Sequence, residues 1–257
     1  MPYLIDENEE FATKFKKLIQ HTYEKNGGKK VVIISHSFGC LYTLHFLQNA
    51  KESWKDTYIR EWISIAGPFG GSLTALTRVT EGIRIGETYV YQDSVRALIR
   101  SWASIPFLFP TKEVFGNDII LSYHKGHSIE HYTVDDMPKI LEIFGAKKVT
   151  QMWEDSKGFH DLSHPGVDVF CIAGNSIPTT EKIDYSEEPK SHGHFDLNKN
   201  TVGDGAINSK SAEKCKEWSE GDKKFKFSSL ALGHRELILN KEGIKLILTE
   251  LAGLTDN

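Results

Sequence analysis

The segment that most restricts how this chain folds is Val31-Val32-Ile33-Ile34-Ser35-His36-Ser37-Phe38-Gly39. Its continuous β-branched start suits a short strand buried on both faces of a parallel sheet. Helical patterning resumes at once, from Gly39 to about Asn49. Between the two, Ser35-His36-Ser37-Phe38-Gly39 fits G-x-S-x-G with Ser in place of the first Gly. A turn this sharp brings strand and helix backbones close, so positions 35 and 39 need small residues, and the hydroxyl of Ser37 is thrust outward. The other reading of Ser37 is that it merely caps the helix, a common use of serine.

The rest of the pattern agrees with a sheet of this kind. Phe11, Phe15, Leu18 and Ile19 recur at helical spacing among Lys and Glu, so residues 6–26 read as an amphipathic helix ended by Asn26-Gly27-Gly28. Trp62 to Ala66 and Val167 to Ala173 predict two more strands, Lys224 to Leu230 a weaker one, and 240–252 a last amphipathic helix. Strands alternating with helices imply an α/β fold with a mostly parallel sheet and flanking helices. Residues 72–165 have mixed patterning, many aromatics and the apolar run Ile105 to Pro110, and read as an inserted cap. Residues 181–203 read as a polar loop around Glu187-Glu188-Pro189-Lys190. One domain over 1–257, with its excursion at about 72–165, is the simplest organisation.

Composition narrows the functions. With 257 residues, 39% of them hydrophobic and 26% charged, the chain is long enough for an enzyme. A net charge of −4 gives no field that gathers polyanions, which argues against a nucleic-acid partner. No run approaches the ~18 apolar residues of a membrane span, and the start, Met1 to Glu7, lacks the regions of a signal peptide, so no secretion address is expected from it. Cys40, Cys171 and Cys215 are too few for a zinc ribbon and allow at most one bridge.

A nucleophilic serine needs a neutral histidine to take its proton and a carboxylate to orient that histidine. Asp204 sits in the glycine-flanked turn Gly203-Asp204-Gly205, after the third strand. His234, in Leu232-Gly233-His234-Arg235-Glu236, falls between the last strand and the last helix. The order Ser37, Asp204, His234 is the one this strand–turn–helix arrangement uses. His192-Gly193-His194 offers two possible metal ligands without a third, so neither a metal nor a cofactor is expected.

At these residues a resemblance becomes specific. Ser35-His36-Ser37-Phe38-Gly39-Cys40 is similar to the nucleophile motif of the lecithin–cholesterol acyltransferases and their lysosomal phospholipase relatives, which have an α/β-hydrolase fold. Ala66-Gly67-Pro68-Phe69-Gly70-Gly71-Ser72 resembles the family's Gly-Ala-Pro-Trp-Gly-Gly-Ser, and Pro106-Phe107-Leu108-Phe109-Pro110 its Pro-Trp-Met-Phe-Pro. Gly166 to Cys171, Ile177-Pro178-Thr179, Gly203-Asp204-Gly205 and Cys215 follow in family order. The departures are Ser35, the exchanged Ala66-Gly67, and Ala206-Ile207 for Thr-Val.

The resemblance implies a serine-dependent acyltransferase or phospholipase that moves a fatty acyl group from a glycerolipid to an alcohol or water, at a membrane or lipoprotein surface. It implies a Cys171–Cys215 disulfide, with Cys40 the free thiol beside the nucleophile, and a secreted or endomembrane setting. The amide of Phe38, the residue after the nucleophile, is the expected oxyanion donor. Phe107, Leu108 and Phe109 are candidates for an acyl track, or for ordinary core packing. The match covers about the last two thirds of a family member. The early strands and a second oxyanion donor are therefore expected to be absent, and the strand at 31–34 to expose an apolar edge. A non-catalytic paralogue that binds lipid or a partner, and an esterase for small soluble substrates, are the competing readings.

Overall fold

The computed structural model describes residues 3–82, 92–157, 161–189, 195–198 and 201–255. The chain opens with α1 (Tyr3–Lys25), β1 (Val31–His36), α2 (Phe38–Asn49), α3 (Glu52–Tyr58) and β2 (Ile59–Ile65). The excursion follows, with α4 (Leu73–Glu81), α5 (Gln92–Ile99), α6 (Lys112–Phe115), β3 (Leu121–Lys125), β4 (Ser128–Tyr132), α7 (Met137–Ile143) and α8 (Lys147–Ser156). After it come β5 (Val169–Gly174), β6 (Ile177–Thr179), β7 (Lys182–Tyr185), β8 (Phe195–Asn198), β9 (Thr201–Gly203) and α9 (Ser209–Ala212). The chain closes with β10 (Phe225–Leu230), α10 (Glu236–Leu239) and α11 (Lys241–Thr255).

The central sheet has the order β1-β2-β5-β10, and each neighbouring pair is parallel. Alternation along each strand divides the side chains between two apolar layers. Ile33, Ile59, Trp62, Val169 and Cys171 join Ile19 of α1 and Leu44 and Leu47 of α2 on one face. On the other face Ile63, Ile65, Phe170 and Ile172 meet Leu237 of α10, with Leu246, Ile247 and Leu251 of α11 packed against them. The strands predicted at 31–34, 62–66, 167–173 and 224–230 are these four. The first two run longer, to His36 and from Ile59, because parallel pairing with a neighbour extends past the apolar run. Among the described residues no strand pairs with the outer edge of β1, where Ile34 is 47% exposed.

The excursion has its own core, built on Leu73, Leu76, Phe109, Leu121, Met137, Leu141 and Trp153. A second sheet, β4-β3-β7-β8, lies with it. Two of its strands, β7 and β8, come from segment 181–203, which is therefore not the polar loop expected from its composition. β7 pairs parallel to β3 and places Ile183 and Tyr185 in the excursion's core, while Lys182 and Asp184 alternate outward. With only every second residue apolar and four residues in all, the strand is hidden in a polar composition.

Near the start of β2, Glu61 is 3% exposed and its Oε2 has no hydrogen-bond partner. Burial pushes this carboxyl up to about 7, with Glu250 adding to the rise and Lys226 opposing it. Because the fold favours the neutral form, no cost arises below the ordinary value of 4.5; it grows between there and about 7 and is complete above. Glu61→Gln is therefore expected to raise unfolding free energy by about 2 kcal/mol at pH 8 and to leave it unchanged at pH 4. Denaturant melts at both pH values check this; an equal effect at the two would refute the ionisation cause.

Candidate active site

Ser37 follows β1 directly and precedes the first residue of α2. Its backbone lies at φ 56°, ψ −129°, a conformation that L-residues rarely adopt and that costs about 1–3 kcal/mol. Two backbone hydrogen bonds hold it there, Ser37 N–H to Ile65 O at 2.9 Å and Cys40 N–H to Ser37 O at 2.9 Å. Although it occupies the N-cap position, its side chain makes no capping hydrogen bond. Its hydroxyl instead lies 2.8 Å from His234 Nε2. Ser35, where the family motif has a smaller residue, accepts a hydrogen bond from Trp62 Nε1 at 2.8 Å, which gives a buried indole its partner.

Asp204 stands just past β9, 3% exposed. Its Oδ1 accepts from the amides of Ala206 at 2.9 Å and Ile207 at 2.7 Å, and its Oδ2 lies 2.7 Å from His234 Nδ1. Both carboxylate oxygens are thus engaged, and the aspartate cannot swing away from the imidazole without breaking charge-assisted hydrogen bonds. His234 sits on the loop after β10, with its own amide donating to Asp204 O at 2.8 Å. The structure therefore brings Ser37, His234 and Asp204 into one hydrogen-bonded line at the carboxyl ends of the parallel strands, the usual site location in such sheets.

Several residues that frame this line are given no role by the sequence, although Gly70, Gly71, Ser72 and Thr179 fall in the motifs that resemble the family's. Gly174 ends β5, where an added Cβ would lie 2.4 Å from Leu232 O and 2.6 Å from Asp204 Cβ, so only glycine admits both loops. Ser72 caps α4 and donates to Ala206 O at 2.6 Å. Ser211 accepts from Gly70 N–H at 2.9 Å and donates to Gly71 O at 2.7 Å. The segment 66–72 thus acts as a brace for the loop that carries Asp204. Thr179 adds another tie, accepting from Gly205 N–H at 3.0 Å.

Phe38 begins α2, so its amide lies at the positive end of a helix dipole, and no acidic residue stands in the first turn. Phe107 faces it, with ring centroids 6.4 Å apart. Phe109, 1% exposed, packs into the excursion's core with Leu108 beside it. Of the three expected track residues, Phe107 is the one seen against the helix that follows Ser37. Cys171 and Cys215 are paired, with Cα atoms 6.9 Å apart, and Cys40 is a buried free thiol. Among the described residues no group of three His, Cys, Asp or Glu is placed to hold a metal, and His192 and His194 lie outside the described residues.

The family profile described as lecithin:cholesterol acyltransferase matches residues 3–161 and 130–248. This chain belongs to that family. Phosphatidylcholine-sterol acyltransferase of Gallus gallus is 30% identical over 84% of this chain and 52% of its own length. Lysosomal phospholipase A and acyltransferase is 30% identical in Bos taurus over 83% of this chain and 51% of its own length, and 29% identical in Homo sapiens. The chain thus spans about half the length of the curated relatives it matches. A solved structure titled "The crystal structure of Tle4-Tli4 complex" superposes with a TM-score of 0.64 over 93% of this chain and 63% of that one, at 12% identity, and shares the fold.

Proposed function

We propose that this chain is a serine-dependent lipid acyltransferase or phospholipase of the lecithin:cholesterol acyltransferase type, working through an acyl-Ser37 intermediate. The observation that carries the reading is the line Ser37 Oγ, His234 Nε2, His234 Nδ1, Asp204 Oδ2, with successive polar contacts of 2.8 and 2.7 Å. Ser37 Oγ attacks the ester carbonyl carbon as its proton passes to His234 Nε2. The Phe38 amide donates to the oxyanion of the tetrahedral intermediate. The bond to the glycerol oxygen then breaks, and His234 returns the proton to that leaving oxygen. Water or an alcohol repeats the sequence in reverse on acyl-Ser37, and Asp204 stabilises the imidazolium at each stage.

Phe107 is the proposed first contact of the acyl chain, with Leu108 and Phe109 backing it from the cap at about 72–165. The exposed side chains of Leu98 and Trp102 in the same segment support contact with a lipid surface. Among the described residues no helix is long and apolar enough to cross a membrane. A Cys171–Cys215 disulfide suits a secreted or endomembrane setting.

Phosphatidylcholine vesicles test the reading. The chain should release fatty acid from them and pass part of the acyl group to an added long-chain alcohol. Vesicle binding with no acyl release would favour a non-catalytic lipid-binding chain, and turnover confined to short soluble esters would favour a small-substrate esterase.

A further inference from the structure

His36 lies between the turn's strand and its nucleophile, and the reaction outlined above gives it no part. Alternation along β1 sends Ile33 towards the α1 and α2 side and Val32 to the opposite side, against the cluster that includes Leu232 and Leu237. His36 points to that second side and meets the loop that carries the base. Its Nε2 lies 2.9 Å from the backbone oxygen of His234, and the two imidazole rings have centroids 4.8 Å apart. A carbonyl only accepts, so this contact requires a proton on His36 Nε2.

We propose that His36 is a positioning residue whose Nε2–H, donated to the carbonyl of His234, ties the loop of the base to the strand that carries the nucleophile. The inference rests on the assignment of Ser37 and His234 as nucleophile and base. His234 bridges two hydrogen bonds through its backbone, its amide held by Asp204 O at 2.8 Å and its carbonyl held by His36. Removing the second leaves the backbone of His234 anchored on its amide side only, with the following peptide free to rotate. Ser37 is covalently bonded to His36, so the tie sets the distance between base and nucleophile through one residue and one hydrogen bond. Small errors in that distance are costly, since a misplacement of ~1 Å lowers rates by as much as ~10². Burial also holds the imidazole of His36 below its ordinary value, and the two titratable groups acting on it are His234 and Asp204. A neutral His36 leaves room beside it for the positive charge that His234 acquires.

The test compares His36→Phe, which keeps a ring and loses the donor, with His36→Gln, whose side-chain amide reaches the place of Nε2. Each is scored by its rate of reaction with a fluorophosphonate and by its melting temperature. His36→Phe should react ~10-fold or more slowly while still folded, and His36→Gln should recover to within ~3-fold of the parent chain. Nitrogen-15 spectra of the imidazoles, recorded without any substrate, should show His36 as the Nε2–H tautomer and the Nδ1–H signal of His234 weakened in His36→Phe. Full reactivity in His36→Phe, equal losses in both variants, or a His36 protonated on Nδ1 alone would overturn the proposal. If the parent chain does not react with the probe, the nucleophile assignment fails, while the imidazole spectra still decide for or against the tie.

Discussion

Asp204→Asn is expected to lower kcat by about 10⁴ while the chain stays folded. The reason lies in which groups face the two carboxylate oxygens. Oδ1 takes two amide protons, from Ala206 and Ile207, and Oδ2 faces His234 Nδ1. An asparagine keeps the two backbone donors satisfied only by turning its oxygen to them, which presents its NH2 group to the imidazole. His234 must then accept at Nδ1 and carry its proton on Nε2, where it blocks transfer from Ser37. The opposite orientation sets the NH2 group against two N–H donors inside a buried loop and costs several kcal/mol in lost hydrogen bonds. Steady-state turnover of a p-nitrophenyl ester, with circular dichroism as the folding control, measures the effect. Retention of more than about a tenth of the activity would remove Asp204 from the mechanism.

The parts of the site that were legible in the sequence are those set by local geometry. A β-branched run, a small-residue turn and an immediate helix leave few ways to place Ser37, and the glycines around Asp204 and the loop position of His234 follow the same logic. The central parallel sheet was legible for a related reason, since strands buried on two faces read as continuous apolar runs. The helix at 6–26 and the one at 240–252 were equally plain, and appear as α1 and α11.

What stayed hidden depends on contacts between distant segments. β7 joins a strand some sixty positions earlier, pairing Leu121 with Ile183, and nothing within Lys182–Tyr185 announces that partner. The brace through Ser72 and Ser211 and the backbone approach at Gly174 are likewise tertiary facts. Glu61 is enclosed by the sheet, a burial that nothing in its sequence neighbourhood announces. The exchange of Ala66 and Gly67 relative to the family motif has a structural account in both positions. Ala66 takes φ 53°, a region that favours glycine, whereas a Cβ at Gly67 would lie 2.4 Å from the ring of Phe69. The local strain falls on alanine because a Cβ at the neighbouring position would press on the buried ring of Phe69.

The proposed chemistry turns on a covalent acyl group on Ser37. Removing its hydroxyl is expected to lower turnover by about 10⁶, the scale set by loss of a serine nucleophile, because His234 then has no hydroxyl to deprotonate. The direct measurement is intact-protein mass after brief mixing with a long-chain p-nitrophenyl ester and acid quenching, followed by peptide mapping. One acyl increment is expected on the peptide containing Ser35-His36-Ser37 in the parent chain and none in Ser37→Ala. An acyl group on another residue, or one that persists in folded Ser37→Ala, would contradict it.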